Sequence, residues 1–170
     1  MARALHSGFI RSAELFPNRP AIEVEGQILA YRELYAKAAS IAATLQDRAP
    51  VVEPPLTAVF AYHSVISFAG VLAALFRGHG YVPLNPTFPS DRTRTMLLRS
   101  GCSTIVVDRE STKQLDEIFQ GITQPILPLP RGKLSARCRR VSGLYQNWIP
   151  NVHPRYPAQS RRTAPHKAGI

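Results

Sequence analysis

Two hydrophobic periods divide the first third of the chain. A first amphipathic helix is predicted by apolar residues that recur at intervals of three and four before Pro17, namely Leu5, Phe9, Ala13 and Phe16. Apolar and acidic residues then alternate in "AIEVEGQILAY", with a turn at Glu25-Gly26, which predicts a short hairpin with Glu23 and Glu25 on its solvated face. The interval of three to four returns in a second helix, at Leu34, Ala38, Ile41 and Leu45.

Beyond the proline-rich loop "RAPVVEPPL" the pattern changes to apolar strands that alternate with helices. The predicted strands are "LTAVFAY", "YVPL" and "STIVVD", and the predicted helices are "SVISFAGVLAALFRG", "PSDRTRTMLLRSG" and "STKQLDEIFQG". Strands that are apolar throughout and separated by helices indicate a mostly parallel sheet covered by helices on both faces. The chain is therefore predicted to have an α/β fold. Plausible helix starts are Ser64, Ser111 and Pro89 followed by Ser90 and Asp91.

A charge-free stretch between Pro54 and Arg77 is long enough to suggest a membrane span. Its middle, however, is the polar sequence Tyr62, His63, Ser64, where a single span would be most apolar. The stretch is better interpreted as a buried strand, a polar turn and a buried helix. We therefore expect no membrane partner.

The positive charge of the protein belongs to one end of the chain. The formal net charge is +10, but residues 1–130 carry 12 Lys and Arg against 11 Asp and Glu. Residues 131–170 carry nine Lys and Arg and no acidic residue. The regular alternation ends around Pro125 to Pro130, and residues 131–170 show no sustained apolar period. We expect one domain over residues 1–130 and a basic, disordered tail over residues 131–170.

Few residues suggest chemistry. Cys102 and Cys138 are 36 positions apart, in no spacing typical of zinc ligands or of a disulfide framework, so we expect reduced thiols and a cytoplasmic protein. The five histidines are dispersed, and no HExxH, GxSxG or GxGxxG is present. His79 is interpreted as a turn residue, Asp116 and Glu117 as a solvated helix surface, and "RTRTMLLR" as an exposed basic helix face.

One long string carries a family resemblance. "GVLAALFRGHGYVPLNPTFPSDRTRTMLLRSG" resembles a core motif of the adenylate-forming superfamily, the AMP-dependent synthetases and ligases, whose pattern is close to "LxAGxxYVPLDPxxPxxRxxxML". "FPNRPAIEVEGQILAYREL" is similar to the stretch that precedes it in the family, which ends in "L(S/T)YxEL", and "SGCSTIVVD" is similar to the strand that follows. The resemblance covers roughly residues 5–130. Acyl-CoA synthetases and nonribosomal peptide synthetase adenylation domains both remain open.

The resemblance implies the N-terminal part of an adenylating enzyme. Members bind ATP and magnesium, form an acyl-adenylate from a carboxylic or amino acid with release of pyrophosphate, and pass the acyl group to a thiol. Their phosphate loop, "(S/T)SGxTGxPKG", is not found in this sequence, so no catalytic, cofactor-binding or metal residue is assigned in the chain. We expect the rigid segment "GYVPLNPTFPSDR" to be scaffold, and the fragment to be inactive alone and to expose apolar surface.

Ala30 and Asn85 depart from the family motifs. Ala30 replaces the Ser or Thr that would form a capping box with Glu33, and the loss should cost about 1 kcal/mol. Asn85 replaces the commoner Asp, and we attach no chemistry to this change.

The tail and the function each have alternatives. Nine positive charges with Tyr145, Trp148 and Tyr156 could form an arm that contacts nucleic acid. The favoured interpretation is instead that an abrupt shift to Arg, Pro, Ser and Ala reflects translation in a shifted frame, which makes nucleic acid an unlikely partner. The partner expected first is the remainder of an adenylating enzyme, and the alternative function is a non-catalytic binding protein that uses the basic arm.

Overall fold

The structure of the protein, a computed structural model, describes residues 4–49 and 55–129. An N-terminal helix and hairpin come first, followed by alternating helices and strands. In chain order the elements are α1 (Ser7–Leu15), β1 (Pro20–Val24), β2 (Gln27–Ala30), α2 (Tyr31–Arg48), β3 (Leu56–Phe60), α3 (Val65–Phe76), β4 (Gly80–Leu84), α4 (Ser90–Ser100), β5 (Thr104–Val107), a 3₁₀ turn (Ser111–Gln114), α5 (Leu115–Phe119) and β6 (Leu127–Leu129).

Four strands form one parallel sheet in the order β4-β3-β5-β6. Helices lie on both of its faces, so the predicted α/β fold is confirmed. Along β3, Val59 points toward α3, whereas Ala58 and Phe60 point to the opposite face, where α4 and α5 pack. This alternation explains why the central strands carry apolar side chains on both of their faces.

The contact between α3 and the sheet is made by small residues. Ala69, Gly70, Ala73 and Ala74 are the buried residues of this helix. A Cβ added at Gly70 would lie 3.0 Å from Cγ1 of Val106 on β5, so a larger residue there would push the helix away from the sheet. The larger side chains of α3 consequently lie on its other sides.

The predicted hairpin is confirmed, and its turn has the expected geometry. Glu25 and Gly26 both adopt positive φ, 51° and 75°, as a two-residue type I′ turn requires. Glu23 and Glu25 are exposed, as the alternating pattern predicted.

The first helix is shorter than its apolar stripe suggested. It covers Ser7–Leu15, and Leu5 and Phe16, at the two ends of the stripe, lie outside it and are 84% and 43% exposed. Phe9 alone of the large stripe residues packs on the main core, against the rings of Tyr31 and Phe76. The helix thus packs on the domain chiefly through the Phe9 ring, and none of its residues is fully buried.

The regular alternation was expected to end around Pro125 to Pro130, and the last described strand, which was not predicted, lies within that segment. Leu127–Leu129 form β6, which pairs in parallel with β5 and places Leu129 in the core. Pro128 obscured this strand because proline cannot donate to a ladder, but β6 is the last described strand of the sheet, where proline is tolerated. The predicted tail, residues 131–170, lies outside the described residues.

The helix "RTRTMLLR" is not simply a basic surface. Arg94 is directed at the end of α5, where its Nε donates to the Ile118 carbonyl at 2.9 Å and a second nitrogen donates to the Glu117 carbonyl. Arg92 stacks over the Phe88 ring at 4.1 Å. Arg92 and Arg99 are exposed, as predicted. The prediction is corrected for Arg94, which caps a neighbouring helix, a tertiary role that periodicity does not show.

The described helices also bear on the membrane question raised by the charge-free stretch. None of those in residues 4–49 and 55–129 combines the length and apolar character needed to cross a bilayer. The charge-free stretch forms β3, a polar turn and α3, as predicted.

Helix α3 ends in a tight turn beside an unusual arginine. Gly78 adopts φ 74°, and His79 donates its amide to the Ala74 carbonyl at 3.0 Å, which closes the helix. Arg77 stands where the family pattern has alanine. Its Nε and one terminal nitrogen are buried and have no acceptor among the described residues, and burial lowers its pKa.

Ala30 retains half of a capping box. Its backbone N–H donates to Glu33 Oε2 at 2.8 Å, but no side chain accepts from the first turn of α2. Substitution Ala30→Ser should supply that acceptor and raise the free energy of unfolding by about 1 kcal/mol, measured by urea denaturation. The control is Ala36→Ser, at an exposed position within α2, which should lower it by up to about 0.5 kcal/mol. Equal effects of the two changes would contradict the capping argument.

Arg77 should destabilise the fold. Unsatisfied buried donors cost about 1–3 kcal/mol, more than the roughly 0.3–1 kcal/mol that a cation gains near a helix C-terminus. Substitution Arg77→Ala should therefore raise the free energy of unfolding by roughly 1 kcal/mol, measured in the same titration. Arg99→Ala, an exposed arginine in the last turn of α4, is the control and should lower stability slightly. A loss of stability in Arg77→Ala as large as in the control would show that the guanidinium is satisfied.

Candidate functional site

The carboxyl edge of the sheet between β3 and β5 is where a ligand-binding site is expected in this fold. The chain goes from β3 to β4 on one side and then crosses to β5 on the other. In open parallel sheets, ligands bind at the carboxyl ends of the strands, where successive connections leave in opposite directions. This position is called the switch point of the sheet. The residues at this point are the turn after β3, Tyr62 to Ser64, and Asp108 directly after β5.

Asp108 joins the loops that follow the two strands. Oδ2 accepts from the Tyr62 amide at 3.1 Å and from the Ser64 hydroxyl at 2.8 Å. Oδ1 accepts from the Ser111 amide at 2.8 Å. The side chain is buried, so one carboxylate satisfies donors from both sides of the switch point.

The same carboxylate organises the starts of two helical segments. Ser64 is the N-cap of α3 and accepts from the Ser67 amide at 3.3 Å while donating to Asp108. On the other side, the Asp108 carbonyl accepts from the Thr112 amide at 3.1 Å, at the first turn of the 3₁₀ segment. A negative charge near helix amides is favourable because those amides have no partner within the helix.

The electrostatics indicate a positioning role for Asp108. Burial alone would raise its pKa, but hydrogen bonds from Ser111, Ser64 and Tyr62 outweigh that effect and hold the pKa below its ordinary value. Both oxygens are engaged and the group is ionised at neutral pH. Such a carboxylate holds loops in place and is poorly suited to accept a proton from a substrate.

Two aromatic side chains project from the tethered turn. Tyr62 and His63 are exposed, and their ring centroids lie 4.0 Å apart. His63 has φ 48°, the left-handed region that few residues other than glycine adopt. The turn is thus a constrained feature, held by the Tyr62 and Ser64 hydrogen bonds on either side of His63.

The segment Gly80–Arg92 is built as a rigid connection. Asn85 Oδ1 accepts from the Thr87 amide at 2.9 Å, and the Phe88 amide donates to the Asn85 carbonyl at 3.0 Å. An aspartate carboxylate could accept the first bond equally well, so the replacement of Asp by Asn needs no chemical role. Helix α4 then begins at Ser90, with Pro89 as its N-cap residue rather than inside its first turn.

The remaining titratable residues do not converge. Within the described ranges, no group of three or more His, Cys, Asp and Glu could hold a metal ion. His79 Nδ1 lies 3.5 Å from Thr57 Oγ1 in the turn before β4. Cys102 is a buried free thiol whose pKa is raised by burial, against a smaller opposing effect of its hydrogen bond with Ser100. Cys138, His153 and His166 lie outside the described residues.

Sequence reasoning missed Asp108 and misassigned its neighbour. Ser111 was predicted to cap a helix, but it lies within the 3₁₀ turn and donates its amide to Asp108. The spacing Asp-x-x-Ser directly after an apolar strand was the available signal, since an aspartate three residues before a helical turn is a typical cap. The link to Ser64, 44 positions away, has no local signal.

Substitution Asp108→Asn should destabilise the domain. An amide has one accepting oxygen, so at least one donor loses its partner, at a cost on the order of 1.5–3 kcal/mol at neutral pH, measured by urea denaturation. Because the folded-state pKa is depressed, the stability due to the charge is present above the unfolded-state pKa. It is lost as pH falls through the folded-state value. The difference in free energy of unfolding between wild type and Asp108→Asn should therefore become smaller below about pH 4.

Asp116→Asn, at an exposed position of α5, is the control for this change. It should alter the free energy of unfolding by less than about 0.5 kcal/mol. If the difference in free energy of unfolding between Asp108→Asn and wild type stayed constant from pH 7 to pH 3, the role assigned to the ionised carboxylate would be contradicted.

Comparison with known proteins agrees with this architecture. The family model described as AMP-binding enzyme matches residues 9–157. Tyrocidine synthase 3 of Brevibacillus parabrevis is 38% identical over 95 residues, which cover 56% of this chain and 1% of that protein. The crystal structure of IdnL7 is 30% identical with a TM-score of 0.67, over 82% of this chain and 29% of that one.

A third similar protein is the nonribosomal peptide synthetase FmoA3 in its alpha-methyl-L-serine-AMP bound form. It is 25% identical with a TM-score of 0.64, over 75% of this chain and 14% of that chain. The present chain thus spans less than a third of the length of each of these relatives. The match over residues 9–157, together with the shared fold, shows that the chain belongs to the AMP-binding enzyme family, as a part that resembles the N-terminal region of adenylation domains.

Proposed function

We propose that this chain is the N-terminal structural part of an adenylation domain that activates a carboxylic or amino acid with ATP, and that its 170 residues do not catalyse adenylation by themselves. In this proposal β3, β4 and β5 with their helices supply a scaffold. The groups that bind ATP, magnesium and the acid lie in parts of such a domain that this sequence does not contain. A cytoplasmic location remains a prediction.

The observation that carries the proposal is a mismatch between fold and chemistry. The chain aligns with IdnL7 over 82% of its residues at a TM-score of 0.67, so its described part has the architecture of that region. Yet its 170 residues contain no "(S/T)SGxTGxPKG" phosphate loop. In the family, the backbone amides and hydroxyls of this loop surround the triphosphate and stabilise the charge that develops as pyrophosphate leaves, and residues 4–49 and 55–129 provide no such arrangement.

The geometry of the switch point favours a structural rather than a catalytic role for the residues that lie there. The position where an open α/β sheet would hold a ligand is occupied by the Asp108 carboxylate and the loops that it ties together. Its oxygens are satisfied by protein donors, so they are not available to an incoming substrate. One relative supports an amino acid rather than a fatty acid as the substrate, because the FmoA3 structure contains alpha-methyl-L-serine-AMP.

The alternative of a nucleic-acid-binding arm depends on residues 131–170. These lie outside the described residues, and the part of the chain that the structure describes offers no second feature in its favour, because Arg94 on the basic helix is engaged with α5. A non-catalytic binding protein of that kind therefore ranks second.

ATP–pyrophosphate exchange tests the proposal. The full chain is assayed alone and together with a purified polypeptide that comprises the part of IdnL7 following the segment aligned here, with a panel of amino acids. We expect no exchange from either polypeptide alone and amino-acid-dependent exchange from the mixture. Exchange by the full chain alone would show that it is a complete catalyst, and failure of a mixture that demonstrably associates would reject its role as an adenylation scaffold.

A further inference from the structure

Helix α3 has more apolar surface than the described fold covers. Its twelve residues, "VISFAGVLAALF", contain no charged side chain. Only the small residues that face the sheet are buried, whereas Phe68 is 45% exposed and Val71 and Leu72 are partly exposed. A helix that is apolar on all sides is normally buried on all sides, so this surface calls for a cover.

The uncovered side of α3 borders a groove. The groove has a volume of about 430 Å³ and lies between α1, the hairpin, the start of α2 and α3. Phe9, Ile22 and Tyr31 form one wall, and Phe68, Val71 and Leu72 form the other. Ser67 also borders it, but its hydroxyl donates to the Ser64 carbonyl at 2.6 Å. The apolar lining and open form suit a protein side chain cluster better than a polar metabolite.

The extent of the chain indicates what covers this surface. IdnL7 contains the same fold within a chain of which the present residues match 29%, so about seven-tenths of that protein has no counterpart here. In FmoA3 the matched share is 14%. A domain that continues far beyond these elements would have to pack on their exposed apolar surfaces, since hydrophobic faces are buried against the next layer. The groove is a described concave surface whose apolar lining meets that requirement.

We propose that the groove between α1, the hairpin and α3 is the docking surface for the rest of an adenylation domain, with Phe68 and Val71 at the contact. This inference rests on the proposed function for the identity of the partner. It adds the surface that the partner uses.

Cysteine accessibility provides the test, because the chain offers two exposed apolar residues of equal exposure. Phe68 on α3 is 45% exposed and Leu98 on α4, on the opposite side of the sheet, is 43% exposed. Full-length Phe68→Cys and Leu98→Cys are labelled with a maleimide, with and without the polypeptide that follows the aligned segment in IdnL7. Labelling is read peptide by peptide by mass spectrometry, which separates the new cysteine from Cys102 and Cys138. Val71→Cys is a second groove variant in case Phe68→Cys does not fold.

When about nine-tenths of the protein molecules are bound to the IdnL7 polypeptide, labelling of the groove cysteine should slow roughly tenfold, because only the unbound molecules react. Labelling of Leu98→Cys should be unchanged. Equal rates with and without the IdnL7 polypeptide, or equal slowing of both variants, would overturn the proposal.

Protection of the groove cysteine in the chain alone would also overturn it: concentration-dependent protection indicates a second copy as the occupant, and concentration-independent protection indicates residues 130–170 of the same chain.

The exchange assay in the same mixture separates this inference from the proposed function. Groove protection without amino-acid-dependent exchange leaves the docking surface standing and rejects the catalytic scaffold. Exchange without groove protection supports the scaffold and rejects this surface as the point of docking.

Discussion

The close approach of α3 to the central strands is the constraint on which the rest of the described fold depends. Gly70 faces Val106 of β5 and Val59 of β3, and a Cβ at this position would lie only 3.0 Å from Val106 and 3.4 Å from Val59. Because the inner side of α3 must be small, the volume of the helix lies in the side chains that point elsewhere. Phe76 meets Phe9 and Tyr35, and so holds α1 and α2 to the end of α3. Phe68 and Val71 point toward the groove instead.

The second constraint is electrostatic and lies at the other end of the same helix. The start of α3 is held by Ser64, and Ser64 is held by Asp108 at the end of β5. Asp108 also accepts a hydrogen bond from the Ser111 amide, at the start of the 3₁₀ turn that leads to α5 on the opposite face of the sheet. One buried carboxylate therefore fixes the helices of both faces relative to the sheet. The cost of its burial is offset by hydrogen bonds from the Tyr62 amide, the Ser64 hydroxyl and the Ser111 amide.

Much of this architecture could be predicted from sequence because its causes are local. The alternation in "AIEVEGQILAY" and the Glu25-Gly26 turn are sufficient to predict the hairpin. The apolar run "IVV" within "STIVVD" is sufficient to predict a buried strand. The errors occur where a distant partner decides the outcome. Arg94 is basic by sequence, but it binds the carbonyls of a helix more than twenty positions away. β6 contains a proline that argues against a strand until its position at the end of the described sheet is known.

The candidate site was predictable only in part, for the same reason. A strand followed by Asp108 is visible in the sequence, but the crossover that brings the turn after β3 beside it is a property of strand order. Arg77 shows a different limit. The family pattern has alanine at this position, and the sequence therefore shows a departure but not its consequence. The consequence depends on Nε and a terminal nitrogen being buried without an acceptor among the described residues.

The groove and Arg77 lie toward different ends of α3. At each of them, the described elements leave groups without the partners that would stabilise them. At the groove, apolar side chains lack a cover, which favours association with a further layer of protein. At Arg77, buried donors lack acceptors within residues 4–49 and 55–129, which opposes the compact state of these elements. A scaffold that evolved with a larger domain around it can keep both features, because apolar burial against that domain outweighs a cost of a few kcal/mol. Only the groove gains from such a partner through apolar contact, and for that reason the docking surface is assigned there and not at the arginine.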